Sequence, residues 1–591
     1  MRYFRWMLLC GLVSAAGAQT RATQFNLSRD LVGLGIANRN LVPNNPSLDA
    51  VPLLQAALDY AAKNRTKLIT ADAGTYYFLQ PQAPDRYVGF NDLKDLTVDF
   101  QGSDLYFRDS YLIGFAVIDC LRVKLANFTV DAQNLPFTQA RLTGVSGRTV
   151  SYQQMGAWAS PSAFNSRLLP DGTHPLFYAL VFRNGLPVPG TNILPVTLPI
   201  GGSALQVAAS DSPWTQPSVL ATYQPGDTIV MTGKGGESPI LVAGGNGVTL
   251  SNIAVYASGA LAVHFDTSGN SVIDGVRVIP RPGTDRLISS NADGIHISYA
   301  LVNNQIRNCF VSRTLDDGIT LNSPFLGFVK QQAGTRQVRV DRRYQSEFQN
   351  GLYVQFVNPA TAEVVPGAMI VAQDPPFSDP PGAGTATLTL DRDLPALRAG
   401  FGMTYADPDN RGAGSVIENN VVEDVLAARG IFLGGVSGVT VRGNTVRRTN
   451  CGAIVLHQDL ASYPTGPNTD ILIDGNTIEQ AIGPSAVGTG VIAAIASIFV
   501  LSTDGQFNFL PGASNARIDI VNNTIADSGR GAIWVSNTAS GSVAGNRIAG
   551  YYRHPELAAW GIGDTALSQL LLDFQQPIVV RANSKVQVSN Q

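Results

Sequence analysis

Charge is scarce in this chain: Asp, Glu, Lys and Arg together make up 14% of its 591 residues, and aromatics reach only 8%. With 45% hydrophobic residues, so little charge excludes a disordered chain or a coiled coil and describes an ordered protein with a large core and more than one structural unit. Cysteine is also rare. Cys10, Cys120, Cys309 and Cys451 are widely spaced and form no C-x-x-C pair, so buried free thiols are expected rather than a disulfide framework or a zinc site. No cofactor and no metal is expected. Basic blocks are missing, Arg447-Arg448 being one isolated pair, which excludes nucleic acid as a partner. Long apolar runs are absent beyond the first residues. Gly490 to Leu501 is too short to span a bilayer and reads as core strand and turn.

The first residues read as an address. Arg2 and Arg5 precede the apolar Trp6–Val13, and Ala16-Gly17-Ala18 offers a small-residue cleavage site, so residues 1–18 are expected to be a signal peptide and the mature protein secreted or periplasmic. Its removal leaves 39 basic against 44 acidic residues, a net charge of −5.

What the chain has is glycine, 59 residues of it, and a repeated pattern. Segments of the form apolar-x-Asn-x-apolar surround Asn127, Asn252, Asn308, Asn420, Asn444, Asn476, Asn523 and Asn546; the step from Asn420 to Asn444 is 24 residues and from Asn523 to Asn546 is 23. A second column runs through Gly259-Ala260-Leu261-Ala262-Val263, Asp293-Gly294-Ile295-His296-Ile297, Asp317-Gly318-Ile319-Thr320-Leu321, Arg429-Gly430-Ile431-Phe432-Leu433, Gly452-Ala453-Ile454-Val455-Leu456 and Gly531-Ala532-Ile533-Trp534-Val535. Strand alternation turns the aliphatic residues inward and the variable one outward, and Asn and Gly suit left-handed corners. The fold class is therefore all-β, a stacked parallel β-helix.

Two stretches break the repeat. Residues 133–232 and 324–411 are proline-bearing and carry isolated strand candidates, such as Pro175–Val181 and Thr385–Leu390, so each is expected to be an inserted antiparallel β-domain. The resulting plan is a signal peptide (1–18), an N-terminal cap and first coils (19–132), insertion one (133–232), a β-helix core (233–323), insertion two (324–411), further coils (412–550) and a C-terminal cap (551–591). Asp49–Lys63 has helical spacing with Asp49 as N-cap and would plug the open end of the solenoid; Thr565–Phe574 is expected as a short helix at the other end. Insertion two leaves just after Asp316-Asp317 and is expected to overhang them.

Three acids stand out in the second column. Gly294 and Gly318 lie 24 residues apart, so Asp293 and Asp317 fall on adjacent rungs with Asp316 alongside. Rungs are about 4.8 Å apart. Repulsion among the three should raise the pKa of at least one, supplying the protonated acid and the carboxylate base that glycosidic hydrolysis requires. In the inverting geometry acid and base stand roughly 6.5–9.5 Å apart. Corner residues hydrogen-bonded to backbone are the structural alternative. Around the acids, His296, Thr320, Asn322 and Arg429 are candidate substrate-binding groups; His296 would bind sugar or orient an aspartate, and Arg429 would hold an aspartate ionised or form a plain salt bridge. Phe432 and Trp534 face outward in the same column and could stack on a sugar, although Trp534 lies several coils away. His264 and His457 take later strand positions.

The Asn291-Ala292-Asp293-Gly294-Ile295-His296 and Asp316-Asp317 segments, their spacing, the two insertions and Tyr223-Gln224-Pro225-Gly226-Asp227-Thr228-Ile229-Val230 resemble glycoside hydrolase family 110. That resemblance implies a right-handed parallel β-helix with β-barrel insertions and an inverting exo-α-galactosidase. It would act on oligosaccharides or glycoconjugates with terminal α-1,3-linked galactose, with Asp293 as general acid and Asp316 and Asp317 as the base pair. One segment departs: Ser462-Tyr463-Pro464-Thr465-Gly466-Pro467 stands where the family tends to carry Trp-x-Glu-Ser-Gly-Pro, so a carboxylate is missing. A homo-oligomer is compatible with all of this.

Rival readings fit less of the chain. A polygalacturonase-like hydrolase also pairs one Asp with a later Asp-Asp on a β-helix, but its Gly-His-Gly and Arg-Ile-Lys motifs are absent and the chain is not basic. A β-helix lyase would need a calcium-binding acidic cluster and a catalytic Arg or Lys. A noncatalytic glycan-binding β-solenoid would need no aligned acids and would usually bring a trimerisation or anchoring segment.

Overall fold

Apart from residues 157, 349 and 574 and segments 162–168, 170–175, 190–193, 198–202, 208–216, 342–347, 376–383, 461–463, 484–493, 505–507 and 556–572, the computed structural model describes residues 22–589. The expected signal peptide and most of the C-terminal helix fall outside the described residues.

The chain winds into a parallel β-helix. Strands repeat in rows, one running Val272–Asp274, Gln305–Arg307, Val416–Glu418 and onward, a second Arg277–Val278, Phe310–Ser312, Val421–Glu423 and onward, all parallel and in register. A third face is an 11-stranded sheet that includes Val263–Asp266, Ile295–Ser298, Ile319–Asn322, Ile431–Gly434 and Ile454–Asp459. Inward columns of Ile, Val and Leu make one continuous core, joined at the N-terminal end by Phe78, Phe100, Phe107, Phe115 and Phe128. The helix Ala50–Asn64 caps that end, burying Val51, Leu54, Ala57, Leu58 and Ala61. It starts where expected, with the Asp49 side chain accepting the Val51 N–H.

The asparagines form two columns rather than one. Asn127 (φ 59°), Asn252 (φ 53°) and Asn308 (φ 54°) are left-handed corners. One residue further along the coil, Asn420, Asn444, Asn476, Asn523 and Asn546 point inward as a buried ladder, each Nδ2 donating to the next Oδ1 at 2.9 Å. The ladder satisfies amides that would otherwise be stranded in the core. Its first Oδ1 contact reaches back to the Cys309 N–H at 2.9 Å, where the inward column passes from cysteine to asparagine. Cys120, Cys309 and Cys451 are buried free thiols, and burial pushes the Cys309 thiol up to about 12.

The register of the second column needs one correction. Val263, not Leu261, lies opposite Ile295, so Val263-His264-Phe265-Asp266 is the strand that precedes Ile295-His296-Ile297-Ser298. Alternation survives a shift of two residues, which is why the pattern concealed it.

Both insertions are antiparallel barrels. The first is a seven-stranded sheet from Phe137–Ser146 to Thr228–Lys234, six of whose strands form a ring closed by pairing Leu176–Arg183 with Thr228–Lys234. The second closes Gly327–Gly334, Gln337–Asp341, Thr385–Leu390, Val364–Asp374, Tyr353–Val357 and Gly402–Tyr405. Each has its own apolar core. Among the described residues no helix is long and apolar enough to cross a membrane.

Candidate active site

The Asp-Gly steps put the acids at the start of their strands. Gly294 N–H donates to the Asp317 carbonyl at 3.0 Å and Gly318 N–H to the Arg429 carbonyl at 2.9 Å, so Asp293, Asp317 and Arg429 form one column on three rungs. The glycines are required by packing rather than by φ. A Cβ at Gly294 would lie 2.4 Å from Val311 Cγ1, and one at Gly318 would lie 2.4 Å from Val422 Cγ1 and 2.6 Å from the Gly430 carbonyl.

Stacking brings one carboxylate oxygen from each of Asp293, Asp316 and Asp317 within 4.8 Å of one another. Each acid has a different environment. Asp317, 3% exposed, is gripped by Arg429: Nε donates to Oδ1 at 2.8 Å, Nη2 to Oδ2 at 2.7 Å, and the Arg429 N–H to Oδ1 at 2.9 Å. Thr320 Oγ1 stands 3.3 Å from Asp317 Oδ2 and 2.7 Å from Asp293 Oδ2. Asp293 Oδ2 is also 2.7 Å from His296 Nδ1, while Asn322 Nδ2 is 3.3 Å from His296 Nε2. An imidazole donating from Nδ1 and accepting at Nε2 fits both contacts. Asp316 is the most open, at 34%, and its Oδ2 accepts from Lys234 Nζ at 2.5 Å.

Burial pushes the Asp317 carboxyl up to about 6, with Asp293 and Asp316 adding to the rise and Arg429 opposing it; the Arg429 pair is therefore ionised at neutral pH and protonates just below. Burial acts on Asp293 in the same sense, but the hydrogen bond and charge of His296, with Thr320 and Lys234, outweigh it and hold that carboxyl below its ordinary range. The raised acid is thus Asp317, whereas the family resemblance implied Asp293 as the proton donor.

Lys234 was invisible in the sequence. It ends the last strand of the first barrel, where the chain returns to the solenoid, and no repeat position marks it. Asn291, fully buried, braces that junction by donating to the Pro136 and Gly233 carbonyls at 3.1 and 2.9 Å. Among the described residues the first insertion therefore supplies a side chain that reaches the acids. The second barrel instead seats on later coils: Phe325 N–H donates to the Pro464 carbonyl at 2.8 Å, Pro324 bridges Thr465, and buried Arg411 donates to the Gly435 carbonyl at 2.8 Å. The divergent stretch is thus partly at a barrel-to-solenoid contact, and Ser462 and Tyr463 lie outside the described residues.

The outward aromatics are covered. Phe432, Val455, Phe499 and Trp534 pack together, with Trp534 2% exposed and Phe509 stacked on it at 6.1 Å, so neither Phe432 nor Trp534 offers a free stacking face. The Arg429 guanidinium lies 3.7 Å from the Phe432 ring centroid, which fixes the arginine from its other side. His457 is buried against Thr503 at 2.8 Å, several rungs from the acids.

The three carboxylates and the two cations Lys234 and Arg429 leave one negative charge before His296 is counted. The same trio has oxygens close enough for a metal ion, but Lys234 and Arg429 already neutralise two of its members, an environment that repels a divalent cation. What remains is a set of unequal carboxylates on a rigid parallel β-helix, the equipment of glycosidic-bond chemistry.

No family model matches the chain. It is similar to proteins named alpha-1,3-galactosidase: the A form of Bacteroides fragilis is 26% identical over 252 residues (42% of this chain, 40% of that protein), and the B form of Akkermansia muciniphila is 23% identical over 462 residues (73% and 56%). A third, from Shewanella woodyi, is 24% identical over 324 residues. The chain spans about half the length of these relatives. Among solved structures it overlays the catalytic unit of a GH87 alpha-1,3-glucanase from Streptomyces thermodiastaticus with a TM-score of 0.43 and 12% identity, covering 93% of this chain and 67% of that one. The resemblance to family 110 read from the aspartate motifs thus has named relatives behind it.

Proposed function

We propose that this chain is an exported glycoside hydrolase that removes terminal α-1,3-linked galactose from oligosaccharides or glycoconjugates, with inversion. The observation that carries this reading is the trio Asp293, Asp316 and Asp317 on adjacent rungs, each held in a different electrostatic state; the names of the relatives support the sugar and linkage. Asp317 accepts three hydrogen bonds from Arg429, while the single Thr320 hydroxyl proton goes to Asp293 at the shorter distance, so Asp317 positions the site and leaves water to its neighbour. Asp316 keeps Oδ1 without a hydrogen bond among the described residues, is ion-paired through Oδ2, and is exposed, which suits the base that activates water. Asp293 likewise keeps Oδ1 open and has His296 behind Oδ2. As general acid, the role the family resemblance gives it, Asp293 would pass a proton to the leaving oxygen, and His296, Thr320 and Lys234, which hold it below its ordinary range, set how readily it takes that proton up.

Inversion here rests on the family resemblance, and the product anomer decides it. Acidic polysaccharide fits less well, because both cations are already spent on carboxylates and the site keeps a negative charge.

The test is hydrolysis of an aryl α-galactoside and an α-1,3-galactosyl oligosaccharide by the full chain, with polygalacturonate as control and proton NMR of the first-formed galactose. Cleavage releasing β-galactose first is expected. Activity on polygalacturonate alone, or galactoside activity unchanged in both Asp293→Asn and Asp316→Asn, would sink the assignment; α-galactose first would replace inversion by retention.

A further inference from the structure

The corrected register places a second polar pair on the face that carries the acids. His264 lies opposite His296, and Asp266 lies opposite Ser298. Residues two apart on a strand share a face, so His264 and Asp266 extend the floor of the site by one rung toward the N-terminal coils. Outward positions on the three successive rungs are then His264 and Asp266, His296 and Ser298, Thr320 and Asn322, all polar. On the following rungs the His296–Thr320 column turns to Phe432 and Val455, which are covered, and the Ser298–Asn322 column passes to Gly434 and then to His457, which is buried against Thr503. The polar floor thus ends at the acids on one side and at His264 and Asp266 on the other.

Asp266 is a half-buried carboxylate with no Lys or Arg salt bridge among the described residues. Oδ1 accepts from Thr267 Oγ1 at 2.7 Å, and the other oxygen accepts no hydrogen bond among the described residues. Burial raises its carboxyl above the ordinary range, with only Thr267 and His296 opposing. That oxygen is an acceptor open to a donor from a ligand. His264 has Nε2 at 3.2 Å from Ser298 Oγ and meets the His296 ring edge-on at 5.6 Å and 84°, leaving Nδ1 without a hydrogen bond among the described residues. Burial first, and His296 second, push His264 down to about 3, so it stays neutral and offers an imidazole nitrogen rather than a charge. Rung spacing and the rise of two residues put the Asp266 and His296 positions about 8 Å apart, the scale of one pyranose ring.

We propose that Asp266 and His264 form the subsite that reads the hydroxyl groups of the non-reducing-end sugar, Asp266 accepting from a hydroxyl pair and His264 exchanging a neutral hydrogen bond with its neighbour. The proposal rests on the glycoside-hydrolase reading and names the residues that hold the sugar while Asp293 and Asp316 act on its bond. Asp266 has a local duty as well, because Thr267 behind it is a left-handed corner (φ 47°). Asparagine serves that turn equally well but removes the charged acceptor, so Asp266→Asn separates recognition from structure.

The experiment compares the full chain with Asp266→Asn and His264→Gln. It measures kcat and KM on an aryl α-galactoside, the melting temperature, and binding of D-galactose against D-glucose by calorimetry. Asp266→Asn should raise KM and weaken D-galactose binding by about tenfold or more, the scale of a hydrogen bond to a charged group, with kcat within about twofold and melting unchanged; His264→Gln should show a smaller shift in the same direction. An unchanged KM in Asp266→Asn, or a fall in kcat that merely follows a lower melting temperature, overturns the subsite. Should the wild-type chain cleave no galactoside yet bind D-galactose, and Asp266→Asn lose that binding, the hydrolase reading fails and the subsite stands. Wild-type protein that neither cleaves nor binds overturns both.

Discussion

The Asp317 carboxylate and the Arg429 guanidinium meet across adjacent rungs as a two-pronged pair, at 2.8 and 2.7 Å, in a position where the acid is 3% exposed. Because 112 residues separate them in sequence and the whole second barrel lies between, the pair joins the strand that follows Asp317 to the first coil after the insertion.

Removing one partner should therefore be severe. Arg429→Met leaves Asp317 buried without its cation and is expected to cost about 3–5 kcal/mol, measured by denaturant unfolding. Pairing it with Asp317→Leu should restore most of that stability without restoring activity. A single substitution costing less than about 1 kcal/mol would mean the pair is solvated, as surface pairs are.

The raised carboxyl of Asp317 has a signed consequence for stability. Its folded value, about 6, lies above the 3.8 of an ordinary aspartate, so between those values the folded state holds more protons than the unfolded one. Its contribution is fully present below about pH 3.8 and is lost as pH rises through 6. The difference in stability between wild type and Asp317→Asn, followed from pH 4 to pH 7, should fall across this window and be flat above it. A flat difference throughout would place the Asp317 value at or below the ordinary range.

Gly318 tolerates no side chain. An alanine Cβ would stand 2.4 Å from Val422 Cγ1 and 2.6 Å from the Gly430 carbonyl, and the second contact is backbone that cannot rotate away. Gly318→Ala is expected to lose at least about 1–3 kcal/mol and to disturb Asp317 next to it, lowering both melting temperature and activity.

The two asparagine columns should respond differently. Asn444 links Asn420 to Asn476 in the buried ladder and also donates to the Ile417 carbonyl at 2.9 Å, so Asn444→Ala strands polar groups on either side and should cost about 1–3 kcal/mol. Asn308 is a corner with φ 54°, which glycine adopts freely, so Asn308→Gly should change stability by no more than about 0.5 kcal/mol. Equal effects in thermal unfolding would contradict the division.

Lys234→Met tests the reach of the first barrel. The pair with Asp316 is partly exposed on both sides, at 27% and 34%, so little stability is at stake. Activity should still fall by about tenfold or more, because Asp316 loses the partner that holds its Oδ2 in place, and Lys234→Arg should recover part of it. Unaltered kcat and KM in Lys234→Met would remove Lys234 from the site.

Much of this was open to a reader of the chain. Glycines in register at 294 and 318 aligned Asp293 with Asp317, and Arg429 fell into their column, because parallel stacking converts a sequence period directly into spatial contact. Asp49, the barrel strands and the buried thiols were legible for similarly local reasons. The asparagine columns were seen but merged, since residues one apart in a coil look alike in sequence while one faces solvent and the other the core. Val263-His264-Phe265-Asp266 was set two residues out of register because in–out alternation cannot distinguish such a shift.

By itself, then, the sequence determined the β-helix, its insertions and the meeting of Asp293, Asp316 and Asp317, all consequences of a repeat acting between neighbouring rungs. Only the tertiary structure decided that Lys234 comes in from the first barrel, that Phe432 and Trp534 are covered, and that burial raises Asp317 while His296 holds Asp293 down. Those outcomes depend on where inserted modules land and how much water they exclude, and no periodicity in the chain encodes either.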